Sequence, residues 1–345
     1  MKTTFATITC VLAPVLVSAV LAAQQQPAPA ATSNSPAPPL WAFPVAPAAP
    51  RGAGGGGGAG GGRGAAAPAD TGPKSVPGST VTLTPQQVRD TTNIPDWHPD
   101  GHPAMPSIVQ RGRTGAIACG YCHLPNGQGR PENSSVAGLP AEYIIQQMAD
   151  FKSGLRKSSE SRLGPQNLMV NIGKAATDEE VKAAAEYFSK LKLKPWIRVV
   201  ETAEVPKTRI AGGMFIALED GSKEPIGNRI IEVPEDLERT ELRDDASGFI
   251  AYAPVGSIKK GEALVMTGGA GKTTACGVCH GADLRGLGPV PSIAGRSPSQ
   301  MARQMWDMQH GARNGPWTQL MKPVVAKLSE EDLVSINAYL SSLKP

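Results

Sequence analysis

The sequence carries no phosphate-binding loop, no dinucleotide fingerprint and no spacing of Ser, His and acid that reads as a hydrolytic triad. Nothing in it therefore points to nucleotide chemistry or serine-type hydrolysis. It has little surplus charge: 34 Lys and Arg against 30 Asp and Glu leave a formal +4, which is no nucleic-acid signal. Cysteine is scarce as well, with five in 345 residues, one of them (Cys10) within the first ten. The other four fall in two pairs, so none is left over for a further role.

Those pairs are Cys119-Gly-Tyr-Cys122-His123 and Cys276-Gly-Val-Cys279-His280. Cys-x-x-Cys-His is the attachment sequence for c-type haem. The thiols add to the porphyrin vinyl groups as thioethers, and the adjacent His becomes the proximal iron ligand. A bare Cys-x-x-Cys also suits a redox dithiol or half of a zinc site. A dithiol leaves the His after both pairs unexplained. A four-thiolate zinc site would join pairs 157 positions apart and leave both histidines idle. The expectation is two haem c groups, attached at Cys119 and Cys122 and at Cys276 and Cys279, with His123 and His280 on the irons.

The same shift of 157 carries Gln147-Met148-Ala149-Asp150 onto Gln304-Met305-Trp306-Asp307, and Gly154 and Arg156 onto Gly311 and Arg313. The shift then becomes 152, and Leu168-Met169 falls on Leu320-Met321. Two homologous domains follow, each with its own haem. Each copy closes on an amphipathic helix, with Val181, Ala184, Phe188 and Leu191 in one stripe and Leu333, Ile336, Leu340 and Leu343 in the other. Thr177 with Glu180, and Ser329 with Asp332, form capping-box patterns at their starts. Middle helices are expected over 141–153 and 298–310. A further helix over 258–266 precedes the second motif, whereas Pro103 and Pro106 allow little more than a turn before the first.

The order of helix, Cys-x-x-Cys-His, helix, Met loop and terminal helix resembles the class I c-type cytochromes. As a tandem it resembles the dihaem periplasmic cytochromes. The resemblance covers about 90 residues of each repeat. It implies a mainly α fold of two class I cytochrome c domains in tandem, and the residues between them read as a short β-containing connector. In that family a Met before the last helix is the distal ligand, which places Met169 and Met321 on the irons. Thioether sulfur is a soft ligand that favours reduced iron, which agrees. Met148, Met301, Met305 and Met308, at helical spacing, read as core. The family also holds the proximal imidazole with a Pro carbonyl. Pro289 fits that pattern, and Pro131 is its nearest counterpart, offset by one position.

Outside the repeats, residues 1–23 read as a cleaved signal peptide ending in Ala22-Ala23, with an uncleaved anchor as the alternative. Export suits covalent haem attachment outside the bacterial cytoplasm and points to the periplasm. Removing Lys2 with this segment takes +4 to +3, and four haem propionates would offset most of that. Residues 24–85 form a Pro/Ala/Gly-rich linker expected to be disordered, a tether offering proximity to a membrane or partner. The haem domains are assigned to 86–195 and 257–345. Between them, 196–256 holds short strands around Ile197, Met214, Arg229 and Gly248, with turns at Asp220-Gly221 and Gly227-Asn228, expected to pack on the haem domains. His98 and His102, set among Pro and Gly, read as a solvated loop rather than a ligand pair. His310 has no counterpart and no ligand role.

The function expected is electron carriage between redox partners by an exported protein without a catalytic residue. The resemblance supplies the partner classes: a quinol-oxidising complex, a periplasmic dehydrogenase or a terminal oxidase. The alternatives are a dihaem enzyme (a peroxidase or sulfur-compound oxidoreductase), which needs one iron with an open distal position, and a cytochrome subunit of a periplasmic dehydrogenase.

Overall fold

A computed structural model describes residues 36–46 and 72–345. The expected signal peptide and most of the low-complexity tract lie outside those residues. The first repeat contains α1 (Pro85–Val88), α2 (Ser107–Gln110), α3 (Cys119–His123), α4 (Ala141–Ser153), α5 (Gly164–Ala175) and α6 (Asp178–Lys190). Seven strands and a short helix follow: β1 (Ile197–Glu201), β2 (Glu204–Pro206), β3 (Thr208–Ala211), β4 (Met214–Ala217), β5 (Lys223–Pro225), β6 (Ile231–Pro234), α7 (Leu237–Glu241) and β7 (Phe249–Ala253). The second repeat contains α8 (Ser257–Thr267), α9 (Gly277–His280), α10 (Pro298–Gln309), α11 (Thr318–Val325) and α12 (Glu330–Ser342). Among the described residues no helix is long and apolar enough to cross a membrane.

The terminal helices begin where their caps dictate. Thr177 and Glu180 exchange side-chain and backbone hydrogen bonds at the start of α6, and Ser329 and Asp332 do so at α12. Each capping box satisfies two of the helix's otherwise unpaired N–H groups. Helix α4 ends at Gly154, with φ of 76°, and its repeat counterpart Gly311 has the same value. Both adopt the left-handed conformation that lets glycine close a helix cheaply.

The segments carrying Met169 and Met321 are helices, not loops. Pro165 sits in the first turn of α5, where a missing N–H costs nothing. Helix α11 carries Met321 even though Pro323 lies inside it.

The connector forms a three-stranded sheet in the order β1-β7-β6, with β1 parallel and β6 antiparallel to β7. Strand β7 buries Phe249, Ala251 and Ala253, every second residue, as a pleated strand with one covered face must. This unit packs on both repeats. Trp196 donates its indole N–H to the Gly295 carbonyl of the second repeat (3.2 Å). Asn126 and Gln128 of the first repeat donate to the carbonyls of Asp245 (2.6 Å) and Ser247 (2.8 Å).

The expectation of disorder over 24–85 fails at two places. Trp41, Ala42 and Phe43 are buried in the core of the second repeat, Phe43 only 1% exposed. Arg303 of α10 donates to the Ala42 carbonyl at 2.8 Å, and the Trp41 indole donates to Glu330 at 2.7 Å. Three consecutive residues supply enough apolar area to anchor a tract whose average composition argues for disorder. Residues 72–85 are ordered too: Lys74 and Leu83 pair as a β-bridge, and Val76 packs with Val88 and Trp97.

Helix α8 crosses α12 closely at Gly261. A Cβ there would collide with the Ser335 carbonyl oxygen and lie 2.8 Å from the Tyr339 Cβ. Gly261→Ala should destabilise the protein by about 1–3 kcal/mol, despite the roughly 1 kcal/mol by which Ala outranks Gly in a helix. Gly164→Ala, with no atom within 4 Å of the added Cβ, should change stability by less than about 0.5 kcal/mol. Thermal unfolding of the two haem-loaded variants checks this; equal midpoints would show that the crossing relaxes without cost.

Candidate functional site

Helix α3 is the first motif itself, and α9 covers the second from Gly277 to His280. In each, the cysteines are about one helical turn apart and the His ends the helix. Immediately afterwards the chain turns at Leu124 (φ 63°) and at its counterpart Gly281 (φ 83°). Backbone bonds then close both loops alike, from Gly129 N–H to the His123 carbonyl (2.9 Å) and from Gly286 N–H to the His280 carbonyl (2.8 Å).

Both motifs line one largely apolar cavity of about 620 Å³. The His123 Nδ1 lies 2.8 Å from the Ser134 carbonyl oxygen, and the His280 Nδ1 lies 2.7 Å from that of Pro291. A carbonyl can only accept, so each Nδ1 carries the proton and each Nε2 keeps its lone pair for a metal. Burial holds both imidazoles below the usual histidine pKa, which also keeps them neutral.

These contacts correct the expectation for Pro131 and Pro289. Neither carbonyl meets the imidazole. The Pro131 carbonyl accepts from Arg303 Nη2, and Pro289 lines the cavity. Ser134 and Pro291 are related by the 157-residue shift, so the two repeats use equivalent carbonyls. In the second repeat the carbonyl is a proline's, two residues beyond the one expected, whereas in the first a serine supplies it.

The thiols separate the chemical alternatives. Burial pushes Cys119 up to about 12 and Cys276 up to about 11, and it raises Cys122 as well. Redox dithiols work as thiolates with depressed pKa values, so the dithiol reading loses support. Among the described residues, the group able to hold a metal through His, Cys and acid side chains is His98, Asp244 and Asp245, and it contains no cysteine.

Met169 on α5 and Met321 on α11 line the cavity and are half-buried. Met148 and its counterpart Met305 line it too, from α4 and α10. Met301 and Met308 are 7% and 8% exposed and belong to the second repeat's core.

Where the repeats meet, the cavity wall is basic and built about a pseudo-dyad. Arg156 and Arg313 face each other as a β-bridge, flanked by Lys157 N–H to Ala312 C=O (2.8 Å) and Asn314 N–H to Leu155 C=O (2.7 Å). Arg156 donates to Gln147 (3.0 Å) and Gln304 (2.8 Å); Arg313 donates to the same two oxygens at 2.8 and 3.2 Å. Arg313 also reaches the Tyr143 hydroxyl at 2.8 Å. Arg296 and Arg303 add two further buried guanidiniums to the lining. Burial brings Arg156, Arg296 and Arg303 each down to about 10, and Arg313 contributes to the fall at Arg156.

The Nε atoms of Arg156 and Arg313 have no hydrogen-bond partner among the described residues. A positively charged wall with unsatisfied donors, beside an apolar hollow holding two thiol pairs and two free imidazole nitrogens, fits a haem, which is apolar over its rings and anionic at its propionates. Sequence reasoning recorded the repeated Gln and Arg positions without assigning them this place.

The remaining histidines lie elsewhere. His98 Nε2 is 2.9 Å from Asp244, His102 Nε2 is 3.2 Å from Asp96, and His310 stacks on Trp306. None lines the cavity.

No family model matches the chain. It is 24% identical to cytochrome c4 of Azotobacter vinelandii over 247 residues, covering 70% of this chain and 91% of that protein. It is 37% identical to cytochrome c-554(548) of Halomonas halodenitrificans over 75 residues, 21% of this chain and 90% of that one. The thiosulfate dehydrogenase electron acceptor of Thiomonas intermedia (strain K12) is 23% identical over 232 residues, 66% of this chain and 79% of its own length. The crystal structure of reduced recombinant cytochrome c4 from Pseudomonas stutzeri aligns with a TM-score of 0.43 at 21% identity, over 65% of this chain and 93% of that one. The c-554(548) match is too short to include both motifs, which start 157 residues apart, whereas the c4 match is long enough for both. With a doubled attachment motif and relatives of both kinds, the chain belongs to the tandem dihaem c-type cytochromes and carries two haem c groups.

Proposed function

We propose that this dihaem cytochrome is an exported carrier that takes single electrons from one redox protein and gives them to another. The observation that carries this reading is the ligand supply. In each repeat the cavity receives an imidazole with only Nε2 free and a thioether from a separate helix. His123 and Met169 would hold one iron and His280 and Met321 the other, a set that would leave no place for a substrate, and the haems would supply one-electron chemistry.

The remaining assignments follow from what each side chain offers. Cys119 with Cys122, and Cys276 with Cys279, hold the haem edges as thioethers. The Ser134 and Pro291 carbonyls orient the imidazoles and raise their basicity as ligands. Arg156 and Arg313 take the propionates between the repeats, and their charge favours the reduced irons. The apolar run from Phe5 to Ala23 supports export to the periplasm. Redox proteins are the partners: a quinol-oxidising complex, a dehydrogenase or a terminal oxidase. The likeness to a thiosulfate dehydrogenase electron acceptor favours, as a second reading, service to a sulfur-compound dehydrogenase.

In the oxidised protein, the weak red absorption band of Met sulfur on Fe(III) should have the intensity of two such haems. Met169→Ala and Met321→Ala should each remove about half of it and lower one potential. A wild-type intensity of one, with a high-spin signal from the other iron, would sink the carrier reading and favour a dihaem enzyme.

The basic wall has its own signature. Arg313→Gln should leave that band intact while lowering at least one haem potential by an amount on the order of tens of millivolts. Potentiometric titration measures the change. Unaltered potentials would remove the propionate assignment and leave the ligands standing.

A further inference from the structure

We propose that His98, Asp244 and Asp245 form a binding site for one divalent transition-metal ion, apart from the haem cavity, at the seam between the first repeat and the connector. His98 stands just before the turn at Pro99–Gly101, and the two acids follow α7 and Arg243, whose φ is 59°. The His98 Nε2 lies 2.9 Å from Asp244 Oδ1 and 3.8 Å from Asp245 Oδ1. The three ligand atoms all lie within 4.8 Å of one another.

The second acid points to a ligand. The Asp245 side chain is 5% exposed, and among the described residues its buried Oδ1 has no hydrogen-bond partner. Asp244, fully buried at its side chain, is by contrast already held. Arg239 Nε donates to its Oδ2 at 2.7 Å, and Ala246 N–H donates to its Oδ1 at 2.9 Å. Arg239 thus balances one carboxylate, whereas among the described residues the other has only His98, at 3.8 Å, as an ion-pair partner. A protonated His98 would not serve both acids, because its Nε2 proton is directed at Asp244 and 3.8 Å is beyond hydrogen-bond reach of Asp245.

The geometry and donor chemistry suit a metal. Bonds of about 2.0–2.1 Å at tetrahedral angles set ligand atoms roughly 3.3 Å apart. The observed 2.9 and 3.8 Å fall on either side of that spacing. One imidazole nitrogen and two carboxylate oxygens form a set that Zn(II) accepts readily and that lacks the thiolate a softer ion would select. Arg239 on the far oxygen of Asp244 fixes that carboxylate from behind, as outer partners of metal ligands do. His98 and Asp245 also line an open cleft of about 990 Å³, from which water can complete the coordination.

The ion would clamp the connector onto the first repeat. Asp244 follows Arg243, whose guanidinium lies 3.6 Å from the ring centroid of Tyr121 within the first haem motif and donates to the Tyr121 carbonyl at 2.7 Å.

The test is calorimetric titration of the untagged, haem-loaded, chelator-washed protein with zinc chloride, with zinc-edge X-ray absorption on the product. One equivalent should bind, raise the unfolding midpoint and show a shell of nitrogen and oxygen with one imidazole. His98→Gln and Asp245→Asn should each weaken binding at least tenfold with the haem spectrum unchanged, and His102→Gln should not. Absence of the equivalent in the wild-type protein, affinity unaltered in both variants, or sulfur in the zinc shell would overturn the site. The wild-type absorption spectrum decides the matter even if a variant fails to fold.

Discussion

Each repeat is organised around a flat, largely apolar group that the polypeptide must enclose rather than replace. The lining comes from α2 to α6 of the first repeat and α9 to α12 of the second and surrounds about 620 Å³. A largely apolar hollow of that size is incompatible with the close packing of a protein interior unless an apolar occupant fills it. Haem therefore acts as the central piece of the core, and the covalent thioethers ensure that the core cannot lose it. The short α3 and α9, the left-handed turns after both histidines and the matching carbonyl contacts all serve to present one imidazole nitrogen to that centre.

The same repeat that duplicates the site also makes the interface. A residue near a pseudo-dyad meets its own counterpart, so Arg156 must face Arg313. Two guanidiniums in contact repel each other. Here each is shared between Gln147 and Gln304, whose neutral oxygens accept from both without adding charge. Asp150 and Asp307 offset only part of this charge: burial raises both, Asp307 to about 6, but an acid at that value is still mostly ionised at neutral pH and attracts Arg156. What remains is a wall whose charge is complete only with an anion opposite it.

The sequence made the chemistry legible and left the packing partly hidden. Cys-x-x-Cys-His is dictated by covalent geometry, and both capping boxes use side chains that can be seen in the letters, so motifs and helix starts were readable. The helices over 141–153 and 298–310 were expected at nearly the bounds they have. The carbonyls behind His123 and His280 were not, because backbone oxygen leaves no residue signature and the proline pattern pointed to Pro131 and Pro289. Burial of Trp41–Phe43 escaped a reading based on average composition, since three anchors in a long low-complexity tract barely move the mean. Asp244 and Asp245 were invisible as partners of His98, 146 residues away in the chain for the nearer acid, because no local pattern records a tertiary contact.

The two repeats are alike in ligands and unlike in covering. The second has α8 lying on α12 through Gly261; the first has only the short α2, and the connector closes part of its surface instead. Tyr121, inside the first motif, lies under Arg243 of the connector, whereas its counterpart Val278 is 69% exposed. Leu287 and Leu320, at 61% and 77% exposure, extend the solvent-facing apolar surface on the second repeat. A haem's potential depends on burial and nearby charge as well as on its axial ligands. The ligand sets proposed above, alike in both repeats, should not give identical potentials in such different surroundings, and a partly buried Arg243 stacked on Tyr121 of the first motif adds a charge there. The duplication thus yields two non-equivalent stations, with the connector responsible for much of the difference between them.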